Sequence, residues 1–354
     1  MKLFTCQHCG KLLYFENVTC ERCGRALGYL PEIGTLSALE PEAEAWRALA
    51  TPSRLYRPCA NVAYGACNWQ VELESASDYC TACRHNRTVP DLSEADHVER
   101  WRKLEVAKHR LIYTLLKFRL PHPTKDEDEV RGLAFDFLAD PSGDQAPRVT
   151  TGHDNGLITV ALSEADDVEL EKRRTELGEP YRTLLGHLRH EVGHYYWDRL
   201  IADRGAFDEF RALFGDERLD YGESLKAYYA LDPVDEWADS YVSAYARAHP
   251  WEDFAETWTH YLHIVDTLET ARAFKIRVDP DAAKADDLSA EVDFDVYRVA
   301  TIDTIIDAWL PLSFAVNSLN RSMGLKDLYP FVLSQGVIEK LGYVHRLVRQ
   351  SGIG

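Results

Sequence analysis

The stretch "LLGHLRHEVGHYYWDRL", residues 184–200, sets His190, Glu191 and His194 in the spacing His-Glu-x-x-His. Residues four apart share a helix face, so two imidazoles in this spacing can hold one zinc ion. The intervening glutamate sits beside them, where it can take a proton from a water at the metal. Leu184, Leu185, Leu188, Val192 and Tyr196 supply an apolar stripe at helical spacing. Gly193 weakens a helix interior by about 1 kcal/mol relative to Ala, so something is expected to pack closely against it.

A catalytic zinc takes three protein ligands and keeps a fourth position open for water, whose pKa it lowers. His187 lies one turn before His190, but seven residues separate it from His194. That is about 10.5 Å of helix rise, whereas each Zn–N bond spans only about 2.1 Å. No third histidine follows the motif closely, so a carboxylate on a later helix is expected to complete the set. "DPVDEWADSY" offers Glu236 and Asp239, and "HPWEDFAETWTHYLHIV" offers Glu252, Asp253 and Glu256. Pro250 suits a first helical turn, and Glu252 and Asp253 read as charges favouring the positive helix end. Glu256 lies past that turn, beside the stripe of Trp251, Phe254, Trp258 and Tyr261. It is the favoured third ligand, with His260 one turn on to hold it. Glu236 is the alternative, and a solvated charge is the remaining reading. For a developing oxyanion the candidate donors are Tyr329, in "LYPF", and His345.

All eight cysteines lie between Cys6 and Cys83. Cys6, Cys9, Cys20 and Cys23 form two Cys-x-x-Cys turns, each followed by Gly, which lets four thiolates surround one zinc. Cys59, Cys67, Cys80 and Cys83 form a looser second set with one such turn. Residues 1–30 are too few to bury a core, so metal binding must supply much of their folding energy. The expectation is two structural zincs and one catalytic zinc. The start, "MKLFTCQHCGKL", lacks the pattern of a signal peptide, which disfavours disulfides and points to a reducing cytoplasm.

The elements that would carry these groups follow from the rest of the chain. Its 354 residues suffice for two or three domains. The net charge of −18 falls entirely after residue 90, which disfavours nucleic acid and anionic membrane as partners. "IDTIIDAWLPLSFAV" is too short and too charged to span a membrane. Residues 31–58 read as a linker with a short helix. Val98, Trp101, Leu104, Leu111 and Leu115 mark one long helix after Cys83. "GLAFDFLAD" alternates as a strand, and Asn155-Gly156 marks a turn before a strand over Leu157–Leu162. Beyond Glu164 the pattern is nearly all helical. The reading is α+β: a zinc ribbon (1–30), a linker and second four-cysteine module (31–90), and a mostly helical catalytic domain with a small sheet (91–354).

The stretches "CQHCG", "CNW", "HLRHEVGHYYWDRL", "SAYARAHPWEDFAETWTHYLHIVDTLETA" and "WLPLSFAVNSLNRSMGLKDLYPFVLS" resemble bacterial zinc-binding metallopeptidases with an N-terminal zinc ribbon. The resemblance covers nearly the whole chain. It implies a zincin-like catalytic domain of the gluzincin kind, with His190 and His194 as ligands and Glu191 as base. By the gluzincin arrangement Glu256 would be the third ligand, and Leu157–Leu162 would be an edge strand that pairs with an extended substrate. The expected partners are a peptide or protein substrate and a protein recruited by the ribbon. Two rival readings remain: a zinc-stabilised binding module with a vestigial site, and a zinc hydrolase of non-peptide amides.

Overall fold

The computed structural model describes residues 2–141, 148–166, 170, 183–230, 235–281 and 288–352, with the side chains of 235 and 236 excepted. The chain divides into two compact units, Met1–Lys117 with His122–Glu171, and Phe118–Pro121 with Lys172–Gly354.

In the first unit the paired strands β1 (Phe4–Thr5) and β2 (Leu12–Leu13) carry the first knuckle. Residues 31–58 are not a linker with a helix. They belong to a five-stranded antiparallel sheet of β3 (Leu27–Leu30), β4 (Thr35–Glu42), β5 (Ala45–Ala48), β6 (Leu55–Pro58) and β7 (Gln70–Glu72). Leu30, Leu39, Ala48 and Tyr56 pack into one buried cluster of this sheet. Residues 36–39 are all buried, so β4 shows no period-two alternation, and Pro, Glu and Ala surround it in the sequence. A parallel bridge from Tyr29 to Trp69 brings the first and last strands together. Phe4, Phe15, Tyr29, Trp69 and Tyr113 fill the core beside it, with ring centroids 4.6–6.4 Å apart.

The long helix is present as α1 (Ala95–Phe118), burying Trp101, Leu104, Leu111 and Leu115. A second sheet has the order β10 (Gly152–Asp154), β11 (Leu157–Ala161), β9 (Ala134–Leu138), β8 (Asn86–Thr88). Asn155 and Gly156 both adopt positive φ in the turn between β10 and β11. β11 is therefore not an edge strand. It pairs antiparallel with β10 on one side and parallel with β9 on the other. The short β10 strand occupies the edge expected to receive substrate, alongside Leu157, Ile158 and Thr159.

The second unit is helical: α2 (Leu184–Trp197), α3 (Phe207–Phe214), α4 (Tyr221–Tyr229), α5 (Pro250–Phe274), α6 (Ile302–Ser322) and α7 (Gln335–Ser351). The paired strands β12 (Arg277–Val278) and β13 (Ala290–Glu291) complete the elements described here. Thr183 caps α2 by accepting from the Gly186 amide, and α2 runs on into a π-helical turn at Asp198–Ala202. Pro250 opens α5 as its first residue, with the His249 side chain accepting from the Trp251 amide. Among the described residues no helix is long and apolar enough to cross a membrane.

Candidate metal centre

The centre is built where α2 and α5 pack. A Cβ added at Gly193 would lie 3.0 Å from the Cα of Ala255 and 3.3 Å from its Cβ, so the missing side chain sets how closely α5 approaches. Glu252 and Glu256 stand three residues before and one after Ala255, four apart and thus on one face of α5.

His190 and His194 bring their Nε2 atoms to 3.2 Å. Glu252, not Glu256, completes the cluster. Its Oε2 lies 2.9 Å from His190 Nε2 and 3.5 Å from His194 Nε2. Donors about 2.1 Å from a tetrahedral zinc lie about 3.4 Å from one another, so these three separations fit a zinc ion. Oε2 is buried and faces the two imidazole nitrogens without a well-directed hydrogen bond, while Oε1 accepts from the Tyr221 hydroxyl at 2.7 Å. A cation is the group that such an oxygen suits.

Glu256 is the correction. Its Oε1 meets His190 on the other side of the ring, at Nδ1, 2.8 Å away, and its Oε2 accepts from Ser243 Oγ at 2.6 Å. It therefore holds the orientation of the His190 ring and leaves Nε2 facing Glu252 and His194. The first turn of α5, not the second, passes the Nε2 side of the histidine pair. A carboxylate that looked like a helix-end charge is for that reason the one at the centre. The i, i+4 spacing of Glu252 and Glu256 was the available signal. Glu236 belongs to a 3-10 turn at Asp235–Asp239, and its side chain lies outside the described residues.

Burial opposes charge on all three of these groups, yet their mutual attraction prevails. His190 is held well above its ordinary value by Glu252 and Glu256. Glu252 is held well below the usual carboxylate range by His194 and His190, and Glu256 is lowered by His190. Both carboxylates are thus anionic donors. His260 is buried and pushed down to about 4, so it is neutral near pH 7.

Glu191 lies half-buried on α2 between the two histidines. Tyr221 feels its charge: burial, then Glu252, and finally Glu191 raise the Tyr221 phenol. Tyr329 is not brought to the cluster. Its hydroxyl lies 2.7 Å from His260 Nδ1, and its ring is enclosed by Trp309, His263 and Phe331. A hydroxyl so committed within the core is not available to a developing oxyanion. His345 is likewise interior, with Nδ1 2.9 Å from the Tyr261 hydroxyl. Tyr221 and Tyr245 do reach residues of the centre: the Tyr221 hydroxyl donates to Glu252, and the Tyr245 ring lies 6.0 Å from that of His190.

Both cysteine quartets converge, and no cysteine is in a disulfide. Cys6–Cys23 and Cys9–Cys20 sulfurs lie 3.8 and 3.6 Å apart, and Cys67–Cys80 3.7 Å. A disulfide needs about 2.05 Å, whereas thiolates about 2.3 Å from a tetrahedral zinc lie about 3.8 Å apart. Gly10 and Gly24, each at φ +73°, turn the two knuckles of the first site. That site is partly exposed at Cys9 and Cys23, while the second is wholly buried. The second site also has neighbours that the cysteine spacing could not reveal. His109 Nε2 lies 3.2 Å from Cys67 Sγ and 3.6 Å from Cys83 Sγ, and Glu105 and Lys108 are buried alongside. Their i, i+3, i+4 spacing beside the buried stripe of α1 was the trace they left in the sequence.

Comparison with known proteins agrees with this geometry. Residues 97–347 match the family described as "Putative zinc-binding metallo-peptidase", and residues 3–94 match a zinc-ribbon domain. Proteins of Mycobacterium bovis and of Mycobacterium tuberculosis, described as uncharacterized, are each 42% identical over 349 residues. Those alignments cover 98% of this chain and 95% of each relative. No solved structure gives a significant match. The chain belongs to this zinc-binding metallopeptidase family and carries a zinc-ribbon domain at its N-terminal end.

Proposed function

We propose that the protein hydrolyses peptide bonds at the α2–α5 centre, with one zinc there and one structural zinc in each cysteine quartet. The observation that carries this is the convergence of His190 Nε2, His194 Nε2 and Glu252 Oε2, with Glu191 on the same helix. A zinc ion held by these three atoms would supply Lewis acidity toward a carbonyl oxygen and toward water. Glu191 takes the proton of the attacking water and returns it to the departing amine nitrogen. Glu256, itself held by Ser243, keeps His190 turned toward the metal. An intact Glu191 speaks for an enzyme over a binding module, because a metal anchor does not need a base beside it. Unlinked cysteines suit a reducing cytoplasm, and the ribbon offers a surface for a protein partner.

The experiment is Glu191→Gln, which keeps size and hydrogen bonding but removes the base. Hydrolysis of a peptide library should fall by about 10² to 10⁴, with zinc content unchanged. Equal hydrolysis by both proteins would refute the mechanism. Failure of the zinc-loaded wild type to cleave any peptide would favour a binding role or a non-peptide amide.

A further inference from the structure

The metal centre is nearly sealed. The side chains of Glu252, His194 and His190 are 2%, 5% and 14% exposed. An extended peptide needs an opening, so the element that covers the centre must be able to move.

That element is α4. At its first residue the Tyr221 hydroxyl donates to Glu252 Oε1 at 2.7 Å. The Tyr221 ring lies 5.9 Å from that of Trp251, which in turn lies 3.8 Å from His194. Two turns later the Tyr228 ring lies 5.9 Å from Tyr245, which is 6.0 Å from His190. Tyr221 and Tyr228 are seven residues apart and so share one helix face. The two ends of α4 thus reach the two histidines through one aromatic ring each.

Yet none of the nine residues of α4 is buried. Tyr221 is 39% exposed and Tyr229 65%. An element that buries so little apolar surface belongs to the low-stability end of a structure, from which active-site lids are drawn. Its strongest tie to the centre is the hydroxyl–carboxylate bond, a charge-assisted contact.

We infer that α4 is a lid over the metal centre, latched by the Tyr221 hydroxyl to the one oxygen of Glu252 that does not face the histidines. The latch and the third metal ligand are the same side chain. Oε1 holds the lid while Oε2 faces His190 and His194, so a closed lid fixes the Glu252 rotamer and an open lid loosens it. Tyr221 is a positioning residue in this account. The lid's purpose, admission of a peptide, rests on the peptidase reading, and the zinc readout rests on a zinc held at this centre.

The test compares wild type with Tyr221→Phe in the full zinc-loaded chain, a change that keeps the ring and removes the hydroxyl. Amide exchange over residues 221–229 should quicken about tenfold, the scale of losing one hydrogen bond to a charged group, with α5 unchanged. Zinc transfer from the His190–His194–Glu252 centre to a chromogenic chelator should quicken several-fold, with the cysteine sites unaffected. Neither readout depends on hydrolysis, so a failure of the peptidase reading leaves both intact. Unchanged exchange over 221–229, or faster exchange with an unchanged rate of zinc loss, overturns the proposal.

Discussion

Gly193→Ala tests whether one missing methyl sets the geometry of the centre. The new Cβ would lie 3.0 Å from Ala255 Cα and 3.3 Å from both its Cβ and its carbonyl oxygen. Carbon atoms pack comfortably at about 3.5–4.0 Å, so α5 must retreat by about 0.5 Å. Overpacking costs about 1–3 kcal/mol, and the better helix propensity of Ala returns about 1 kcal/mol. The net destabilisation is about 0–2 kcal/mol, or a fall of about 0–8 °C in the melting temperature of a unit this size. The larger effect should be on metal. Glu252 and Glu256 flank Ala255, so the same retreat draws one carboxylate from His190 Nε2 and the other from its Nδ1. Productive metal geometry tolerates about 0.5 Å, so zinc affinity at this centre should fall about 10–100-fold. The assay is competitive zinc titration beside a thermal melt, with the cysteine sites as internal control. Wild-type affinity together with wild-type melting would refute the idea that Gly193 fixes the helix separation.

Glu252→Ala should abolish zinc binding at the centre while both cysteine sites stay filled; Glu256→Ala should instead weaken it about 10–100-fold, and the reverse ranking would restore Glu256 as ligand. Timed chelation should strip the first cysteine site well before the second, because Cys9 and Cys23 are partly exposed and the second quartet is buried; equal rates would contradict that. His260, held near 4 by burial when folded, takes up a proton more readily when unfolded, where its pKa is about 6.5. Its contribution is therefore present above about pH 6.5 and is lost as pH falls toward 4, by about 2 kcal/mol at pH 5. Denaturant unfolding of wild type and His260→Gln at pH 7.5 and 5 should show the variant with the smaller pH dependence, and equal dependence would refute the assignment.

Local chemistry was legible in the sequence, and so was the longest helix. The two histidines, the knuckle cysteines and α1 all announce themselves through short-range spacing, which a single strand of text preserves. Gly193 even signalled a close neighbour without naming Ala255. The ranking of Glu252 against Glu256 was not legible, because it depends on which turn of α5 passes the Nε2 side of α2. Residues 31–58 failed for a related reason: the pairing of β3 through β7 is non-local, and Pro and Glu within it imitate a linker. The edge-strand reading of Leu157–Leu162 rests on the family resemblance, and β10, with only three residues, is too short to stand out in the sequence against it.

The faces of α1 carry an implication for how such chains can be recombined. The zinc-ribbon match ends at residue 94 and the metallopeptidase match begins at 97, which suggests two interchangeable parts. The second quartet does not respect that seam. Glu105, Lys108 and His109 lie beyond it, and all three are buried against or beside the cysteines. A ribbon transplanted from an unrelated protein would meet a buried ammonium, carboxylate and imidazole shaped for sulfurs it does not place there. Conversely, a peptidase segment cut at residue 97 would expose these groups with Trp101 and Leu104. The seam between the two matched segments is thus a boundary of sequence likeness and not of folding, and only exchanges that carry α1 along with the ribbon should yield a soluble hybrid.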